Sequence, residues 1–435
     1  MSKAITDHIL EEVMLFEPVM QQSYLLNEFD ISYQPLAALQ PGAPIEFFVK
    51  NSSQLYLDLN NTRLNVEVQI LKDDNTKIPS DVANAHTAPA NLLLHTLFKE
   101  VTVQLNGKTV TDPSNMYGYR AYLETLVNFN SDTQKYRLIT EGWDKDTGSR
   151  MDRIDDENKG AQRRVKMAAD SPIFELTGRP HLDLFQQTKL IPPGVDLHIK
   201  FVPHDDKFML MCTDAAFKPK VKISNMCLTV RKKQLTDAAE VAHRQLVLEQ
   251  NYRIPYTRVL MKHLAITAGS TTMTLDNLFT GPLPDLVLCG FVDDEAFAGS
   301  YATNPYNFKH FGIRRMDMYR NGTKTPRYGY SPTFSRGFYH KEYLQFQEQL
   351  GYEVGDKCVT ITPAEWGDGY TLYAFKLTDG PIGSGTAGPR SRSNTGNARL
   401  EFDFVTAPTA NIKLVIMYQS LAVMEIDQFN NIIIS

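Results

Sequence analysis

Pairs of neighbouring carboxylates are the residues with the most obvious chemical potential in this chain. They are Asp155-Asp156, Asp205-Asp206 and Asp293-Asp294, the last followed by Glu295. A glycosidase needs two carboxyl groups that face each other across a cleft, roughly 5–9 Å apart, as acid and as base or nucleophile. Adjacent acids do not establish that geometry, so solvated turns are the preferred interpretation. The Asp293-Asp294-Glu295 run could also bind a cation, since carboxylate oxygens are ligands for hard ions.

The ten histidines are scattered along the chain and form no His-x-His pair. A metal-binding jelly-roll enzyme would need clustered histidine ligands on neighbouring strands. We therefore expect His181 and His198 to be strand or loop residues whose ring nitrogens are satisfied by hydrogen bonds. The sequence predicts no catalytic residues, no cofactor and no metal site.

Two glycine-containing stretches imitate functional loops. Gly107-Lys108-Thr109 matches the end of a phosphate-binding loop, but Thr102 stands where the motif requires a glycine. The glycines around Ser384 lack the strand-to-helix context of a nucleophile elbow. We interpret the first stretch as part of a hairpin and the second as a flexible loop.

The charge pattern argues against strong direct binding of nucleic acid. The chain has 45 basic and 50 acidic residues, for a net charge of −5. The whole excess lies in the segment 1–30, where Lys3 stands against Asp7, Glu11, Glu12, Glu17, Glu28 and Asp30. The rest of the chain is balanced and carries no basic arm that would neutralise phosphates.

Cysteine use and hydropathy favour an intracellular chain. Cys212, Cys227, Cys289 and Cys358 show neither metal-ligand spacing nor a disulfide framework, so we expect buried free thiols in a reducing compartment. No signal-peptide pattern opens the sequence. No apolar run approaches the length that a membrane-spanning helix needs, which predicts no transmembrane segment.

Alternating apolar residues predict that the chain consists mainly of β-strands. Leu64, Val66, Val68 and Ile70 alternate with polar residues, a period of two that gives one buried and one solvated face. Further strand-like stretches cover 98–105, 195–202, 220–230, 257–266, 271–275, 283–292, 313–320, 398–405 and 411–418. Asn106-Gly107 and Asn321-Gly322 favour the positive-φ turns of tight hairpins.

Two helices interrupt this pattern. Asp112 as cap and Pro113 in the first turn predict a helix that closes one end of a sandwich. Its apolar face would consist of Tyr119, Tyr122, Leu123, Leu126 and Val127. Asp237 and Glu240 have the spacing of a capping box and predict a linker helix of about 14 residues that ends before Pro255.

Three segments have a different character. Residues 1–30 begin with an apolar helical stripe at Ile9–Met14 that could pack on a neighbouring subunit or on its own domain. Residues 128–170 are rich in charges of both signs, which predicts a long solvated excursion or a disordered insertion. Residues 379–396 form a Gly/Ser-rich loop.

The two halves of the chain repeat one pattern. His95 and Asn106 have the same spacing as His310 and Asn321, with an offset of 215 between the two pairs. Phe98, Val101 and Val103 are in phase with Ile313, Met316 and Met318. This predicts two copies of one β-fold, a sandwich or barrel such as the eight-stranded jelly roll. The predicted layout is an N-terminal segment 1–30, a first domain 31–231, a linker helix 232–256 and a second domain 257–435.

Four stretches resemble the double jelly-roll, hexon-like major capsid proteins of eukaryotic DNA viruses, above all those of adintoviruses and Polinton or Maverick elements. They are YGYRAYLETLVNF (117–129), GRPHLDLFQQTKLIPPGVDLHIKF (178–201), FVDDEAFAGSYATNPYNFKHF (291–311) and LVIMYQSLAVMEID (414–427). The resemblance covers most of the chain but not the loops 130–170 and 379–396.

The resemblance implies an all-β fold of two tandem eight-stranded jelly-roll sandwiches with a few short helices. It implies a structural protein and not an enzyme: a homotrimer of pseudo-hexagonal outline that tiles an icosahedral capsid. Its partners would be itself, penton proteins and minor capsid proteins. It would be located in the virion, after synthesis in the host cytoplasm, with the host nucleus as a candidate place of assembly. The two loops would form outer towers, and the acidic N-terminal segment would lie near the base.

Two other functions fit a jelly-roll architecture. One is a glycan-binding attachment protein that uses the exposed loops. The other is a double jelly-roll enzyme that processes glycans, for which the acidic pairs are the motivation but offer no preferred pair.

Overall fold

Antiparallel strands dominate the computed structural model, which describes residues 24–51, 54–81, 86–214, 216–279, 281–352, 358–378 and 395–434. In chain order the strands are β1 (Leu25–Tyr33), β2 (Ile45–Val49), β3 (Leu55–Leu71), β4 (Thr87–Pro89), β5 (Phe98–Leu105), β6 (Lys108–Thr109), β7 (Ile173–Gly178), β8 (Leu197–Pro203), β9 (Leu210–Cys212), β10 (Lys220–Leu235), β11 (Tyr252–Ile266), β12 (Thr272–Leu275), β13 (Leu286–Asp293), β14 (Ile313–Arg320), β15 (Thr323–Tyr330), β16 (Leu372–Lys376), β17 (Ala398–Phe404), β18 (Ile412–Ile426) and β19 (Ile432–Ile434). The helices are α1 (Leu93–Thr96), α2 (Tyr117–Asn128), α3 (Lys159–Ala168), α4 (Asp206–Met209), α5 (Asp237–Val247), α6 (Asp294–Ala298), α7 (His340–Gln349) and α8 (Pro363–Gly367).

Each half of the chain forms a sandwich of two sheets, and four strands of each sheet follow the same order in both halves. In the second half β19 adds a fifth strand that pairs with β18. In the first sandwich the sheets run β1-β10-β3-β7 and β2-β8-β5-β6, and in the second β11-β18-β13-β16 and β12-β17-β14-β15. The strands β1, β2, β3, β5, β6, β7, β8 and β10 of the first sandwich correspond, in chain order, to β11 to β18 of the second. With this correspondence the strand orders of the two sandwiches are the same. This is the eight-stranded jelly roll, present twice. The predicted fold class, two tandem jelly-roll sandwiches with a few short helices, is confirmed.

The internal repeat extends to individual residues. Strands β5 and β14 have the same length and the same offset of 215 along the chain, and each has a register shift after its first residue. The following turns are also alike, since Asn106 and Asn321 have φ of 46° and 50°, and Gly107 and Gly322 have φ of 78° and 80°. Both predicted hairpins are therefore present, with the turn conformation that Asn-Gly favours.

The predicted alternation places one face of each strand in a core. Val66, Val68 and Ile70 of β3 are fully buried, while the residues between them are partly exposed. The paired strands β11 and β18 serve both cores: Leu414 and Ile416 pack in the second, whereas Met424 and Ile426 pack in the first. This long two-stranded ribbon fixes one sandwich against the other.

Several strand ends differ from the predicted ones. Strand β1 begins at Leu25, inside the predicted N-terminal segment, and β10 continues to Leu235. Strand β11 begins at Tyr252 and contains Pro255, which lies opposite Val423 of β18. Pro255 was predicted to follow the helix end as a break. It is tolerated in β11 because this strand lies at the edge of its sheet, where a missing N–H need not break a ladder.

The helix caps were predicted wrongly. Helix α2 starts at Tyr117 and its N-cap is Met116, so Asp112 and Pro113 precede the helix and do not cap it. Helix α5 has Thr236 as N-cap without a side-chain capping bond, and it ends at Val247. The acids of its first turn, Asp237 and Glu240, form no capping box there and favour the helix N-terminus through its dipole.

The charged segment 128–170 is not a solvated excursion, and that prediction was wrong. It folds into short helical turns and α3, and it buries Trp143, Met151 and Val165. Some of its charges pair with one another, including the fully buried Arg164 and Asp146, and others pair with residues outside the segment, such as Glu365 and Lys309. Composition shows how many charges a segment has but not whether they neutralise each other in the fold.

Two predicted segments fall mostly beyond what the structure covers. The apolar helical stripe at Ile9–Met14 lies outside the described residues, as does nearly all of the loop 379–396, including Ser384. Within the described parts of the chain, no helix combines the length and the apolar character needed to span a membrane.

Candidate functional site

The Asp293-Asp294 pair forms ion pairs with two lysines of the second sandwich. Asp293 Oδ2 accepts a bond of 2.6 Å from Lys309 Nζ, and Asp294 lies 3.2 Å from Lys413. These two lysines neutralise the carboxylates that a bound cation would use. The acids do not lie in the predicted solvated turn, because Asp293 ends strand β13 and Asp294 begins helix α6.

The other two acidic pairs have similar roles. Asp206 Oδ1 accepts the Val221 backbone N–H at 2.8 Å. Asp155 pairs with Arg153 at the surface. Asp155 and Asp156 lie in a turn, as predicted, whereas Asp206 begins helix α4 and does not lie in a solvated turn.

The other sequence candidates also take structural places. Lys108 and Thr109 are exposed in the hairpin strand β6, as predicted. His198 Nε2 lies 3.2 Å from Glu46 Oε2 across the sheet, so its predicted hydrogen-bonding role is confirmed. Cys212 and Cys289 are buried free thiols, but Cys227 is partly exposed and Cys358 exposed, against the prediction for those two.

A buried polar cluster lies at the end of the first sandwich, where four separate segments meet. It comprises His95 of α1, Tyr117 and Glu124 of α2, Glu141 at the end of the 3-10 turn Leu138–Glu141, and His181. Helix α1 is anchored at this position by its own residues Leu93 and Leu94, which pack in the core of the first sandwich. None of the five residues is more than 6% exposed.

Hydrogen bonds link the members of this polar cluster. His95 Nδ1 lies 2.9 Å from the Tyr117 hydroxyl and His95 Nε2 lies 3.0 Å from Glu141 Oε2. His181 Nδ1 lies 2.7 Å from Glu124 Oε2, and its backbone N–H donates to the Tyr117 hydroxyl at 3.1 Å. The two imidazole rings meet edge to face with centroids 4.6 Å apart.

Burial sets the protonation of the cluster. Loss of solvent lowers the pKa of His95, against the pull of the Glu141 carboxylate, and so favours the neutral imidazole. Burial raises the pKa of Glu141, but the hydrogen bond from His95 and the nearby positive charges together outweigh it, and the net shift is downward. Burial likewise opposes ionisation of Glu124. The charge of Arg120 and the hydrogen bonds that the Glu124 carboxylate accepts nevertheless lower the pKa of Glu124 to about 2.

Arg120 connects the cluster to the second half of the chain. Its guanidinium donates to Glu124 at 3.0 Å and to Asp183 at 2.6 Å. Asp183 in turn accepts the backbone N–H of Val259 in β11 at 3.2 Å. A buried ion pair needs such extra hydrogen bonds to offset its desolvation.

Sequence reasoning noticed only part of this site. His181 was predicted to be satisfied by hydrogen bonds, which the Glu124 contact confirms, but its neighbour His95 was used only as a marker of the repeat. His95, Glu141 and His181 lie far apart in the chain, so no local spacing signals their meeting. The one indirect signal is that cluster residues fall within the stretches 117–129 and 178–201 that carry the capsid-protein resemblance.

A second polar group joins the two sandwiches. Arg164 donates to Asp146 Oδ1 at 2.7 Å, and Asn304 of the second half donates to Asp146 Oδ2 at 3.2 Å. The Tyr370 hydroxyl reaches the Asp146 carbonyl at 2.8 Å. The segment 128–170 therefore acts as a clamp between the halves.

Helix α2 also lies at the seam, the interface between the two sandwiches. All residues from Tyr117 to Val127 are buried, and Tyr119 and Tyr122 pack in the core of the second sandwich. The prediction that this helix closes a sandwich end is thus incomplete, because its apolar face also joins the neighbouring sandwich.

Apolar side chains remain exposed on edge strands. Leu26 on β1, Ile173 on β7 and Tyr328 on β15 are 61%, 60% and 71% exposed, and each of these strands ends its sheet within the described residues. Edge strands with exposed apolar groups are places where proteins associate.

Two grooves add concave surface. One of about 480 Å³ lies beside α5 and is lined by Tyr24, Tyr56, Lys189, His243 and Tyr252, among others. The other, of about 1010 Å³, lies at the start of β14 and includes Arg314, Arg315, Arg336, Phe334 and Val405.

Comparison with known proteins gives one sequence relative and several structural ones. No protein-family model matches the chain. An uncharacterized protein of Caenorhabditis elegans is 23% identical over 351 residues, which cover 78% of this chain and 81% of that protein.

The structural neighbours are viral. A structure of the Sputnik virophage aligns with a TM-score of 0.65 and 10% identity, over 98% of this chain and 92% of that one. The faustovirus major capsid protein gives 0.58 and 7%, over 96% and 93%. The mavirus major capsid protein gives 0.54 and 10%, over 100% and 95%. At such low identity, these similarities establish that the chain shares their fold.

Proposed function

We propose that this chain is a structural major capsid protein that assembles as a homotrimer and tiles an icosahedral viral shell. One observation carries the proposal: a jelly roll that occurs twice with identical strand order, in a body whose fold matches capsid proteins along almost the whole chain. Three such chains present six similar sandwiches, and six similar units around an axis give a pseudo-hexagonal outline that packs without gaps.

The seam between the sandwiches supports this role. A tile must keep its two sandwiches at a fixed angle, since a hinge between them would destroy the outline. The β11–β18 ribbon, helix α2 and the Asp146–Arg164–Asn304 group all cross the seam and oppose such a hinge.

The surface also suits assembly. The exposed apolar side chains of the edge strands provide area that trimer contacts would bury, as obligate oligomers require. The body that follows the acidic segment 1–30 has no net charge, so many copies pack without strong mutual repulsion.

A non-enzymatic role fits the acidic pairs. Asp293 and Asp294 pair with lysines, Asp155 pairs with an arginine, and Asp206 accepts a backbone N–H. The glycan-processing hypothesis drew on these pairs, and their contacts do not favour it over a structural role.

Finer features of the proposal rest on the sequence resemblance. They are a relationship to adintovirus and Polinton proteins, association with penton and minor capsid proteins, residence in the virion, and synthesis in the host cytoplasm, with the host nucleus as the candidate place of assembly. The domain layout of two sandwiches joined by a linker helix belongs to the same proposal.

Analytical ultracentrifugation of the purified full chain tests the proposal. We expect a sedimenting species of three chain masses that grows into larger assemblies at raised protein concentration. A glycan array run on the same preparation tests the attachment-protein hypothesis. Specific glycan binding by a chain that stays monomeric would replace the capsid proposal.

A further inference from the structure

We propose that the buried polar cluster of the first sandwich binds one divalent transition-metal ion of the zinc class, held by His95, Glu141 and His181. This inference concerns a site inside one chain and goes beyond the proposed capsid role. It is independent of whether the chain assembles.

The geometry of the three side chains fits a metal centre. One ligand atom from each lies within 4.8 Å of the others, and two of them, His95 Nε2 and Glu141 Oε2, are 3.0 Å apart. Ligands about 2.1 Å from one zinc ion lie roughly 3.4 Å apart in a tetrahedron and at most about 4.2 Å apart. Side-chain movements of roughly an ångström therefore bring all three ligand atoms within bonding distance of one ion.

The surroundings of the histidines match those of metal ligands. A ligating imidazole usually has its other ring nitrogen fixed by a carboxylate, carbonyl or similar partner. Here the Tyr117 hydroxyl contacts His95 Nδ1, and Glu124 contacts His181 Nδ1. These contacts orient both rings through Nδ1, so coordination would use the Nε2 atoms. His95 Nε2 already faces Glu141 Oε2 at 3.0 Å, and the ion would replace the proton of that hydrogen bond.

The charge balance of the cluster also favours a cation. Glu124, Glu141 and Asp183 are buried, and Arg120 is the one buried guanidinium that contacts them directly among the described residues. Arg137 and Arg179, which act on Glu141 from outside, are more exposed. A buried excess of negative charge is unfavourable unless a proton or a metal ion offsets it.

The ligand types select the class of metal. Two imidazoles and one carboxylate suit zinc and its first-row neighbours, whereas calcium and magnesium prefer oxygen ligands alone. Three protein ligands leave a fourth position for water. The ion would tie α1, the 3-10 turn and the His181 segment together beside α2, so its role would be to stabilise the first sandwich next to the seam.

Metal titration of the chelator-treated full chain tests this inference. We expect one Zn²⁺ per chain by calorimetry, and a rise in the melting temperature of at least about 3 °C at hundredfold excess over Kd. Co²⁺ should give the intense visible absorption of a four-coordinate site. The variants His181→Gln and Glu141→Gln should lose the Co²⁺ band and the thermal shift.

Two further variants make the test specific. Tyr117→Phe removes the His95 partner but keeps its shape, and should weaken Zn²⁺ binding about tenfold. His198→Gln removes a histidine from the surface His198–Glu46 pair and should change neither signal. Absence of stoichiometric Zn²⁺ binding and of the Co²⁺ band in the unaltered chain would overturn the inference even if the variants failed to fold. Trimer formation, measured separately, would be unaffected by that outcome.

Discussion

The rings of Tyr122 and Tyr306 lie face to face, with centroids 4.1 Å apart and planes inclined by 4°. Tyr122 belongs to α2 of the first half and Tyr306 to the second half, so this stack joins the two sandwiches at a deeply buried point. Replacing Tyr122 by Ala should lower the free energy of unfolding by about 3–5 kcal/mol, because a large buried ring leaves a cavity. The midpoint of urea unfolding measures the loss. Tyr136→Ala, at an exposed position, serves as the control and should change it little.

The buried ion pair of Arg164 and Asp146 should contribute strongly to stability, so that removal of one partner lowers the free energy of unfolding. Arg164→Met leaves the Asp146 carboxylate buried without its guanidinium, which should cost about 3–5 kcal/mol. The adjacent Arg163 pairs with Asp144 at the surface, and Arg163→Met should cost at most about 1 kcal/mol. Parallel urea titrations of both variants decide the matter. Equal effects would contradict the assigned burial of Arg164.

The repeated hairpins should respond equally to the same change. Gly107 and Gly322 both have φ near 80°, and an added Cβ would meet no other atom at either site. Gly107→Ala and Gly322→Ala should therefore each cost about 1 kcal/mol from backbone strain alone. Lys108→Ala, next to the first turn, should be nearly neutral. Unequal costs of the two glycine variants would argue against equivalence of the hairpins.

His204 should make the fold less stable in acid. Burial lowers its pKa to about 4, whereas in an unfolded chain it titrates near 6.5. Its ring stacks on Phe208, and its Nδ1 accepts the Asp205 N–H at 2.8 Å, a bond that requires this nitrogen to be unprotonated. The unfolded chain thus takes up a proton below about pH 6.5 that the folded chain refuses until about pH 4, so stability falls across this window.

Thermal unfolding measured from pH 7.5 to pH 4.5 tests this dependence. The variant His204→Gln should show a shallower loss of melting temperature over the same range. Part of the slope should remain, since burial also lowers the pKa of His95. An identical slope in the variant would exclude His204 as a contributor.

The sequence predicted the strands and hairpins well because their signals are local. The alternation from Leu64 to Ile70 and the Asn-Gly turns depend on neighbours in the chain, and both appear in the fold as predicted. The predictions of the N-caps of α2 and α5 were wrong because several residues in each region could start a helix. Pro255 misled for a related reason, since only the position of β11 at a sheet edge allows it there.

The polar sites were beyond local reasoning. Arg164, Asp146 and Asn304 meet only after the two sandwiches pack, so a charge-rich composition was mistaken for solvation. The same holds for His95, Glu141 and His181, whose spacing in the chain gives no hint of contact. The proposed function rests on a resemblance spread over both halves, and the duplicated topology confirms the fold that this resemblance implies.

Electron microscopy of the purified full chain reports its stoichiometry and its outline together, and so tests trimeric assembly of the two sandwiches. We predict particles built of three chains, whose averaged projections show six lobes of similar density around the axis. Particles of one chain with two lobes, unchanged across salt and protein concentration, would rule out the trimer.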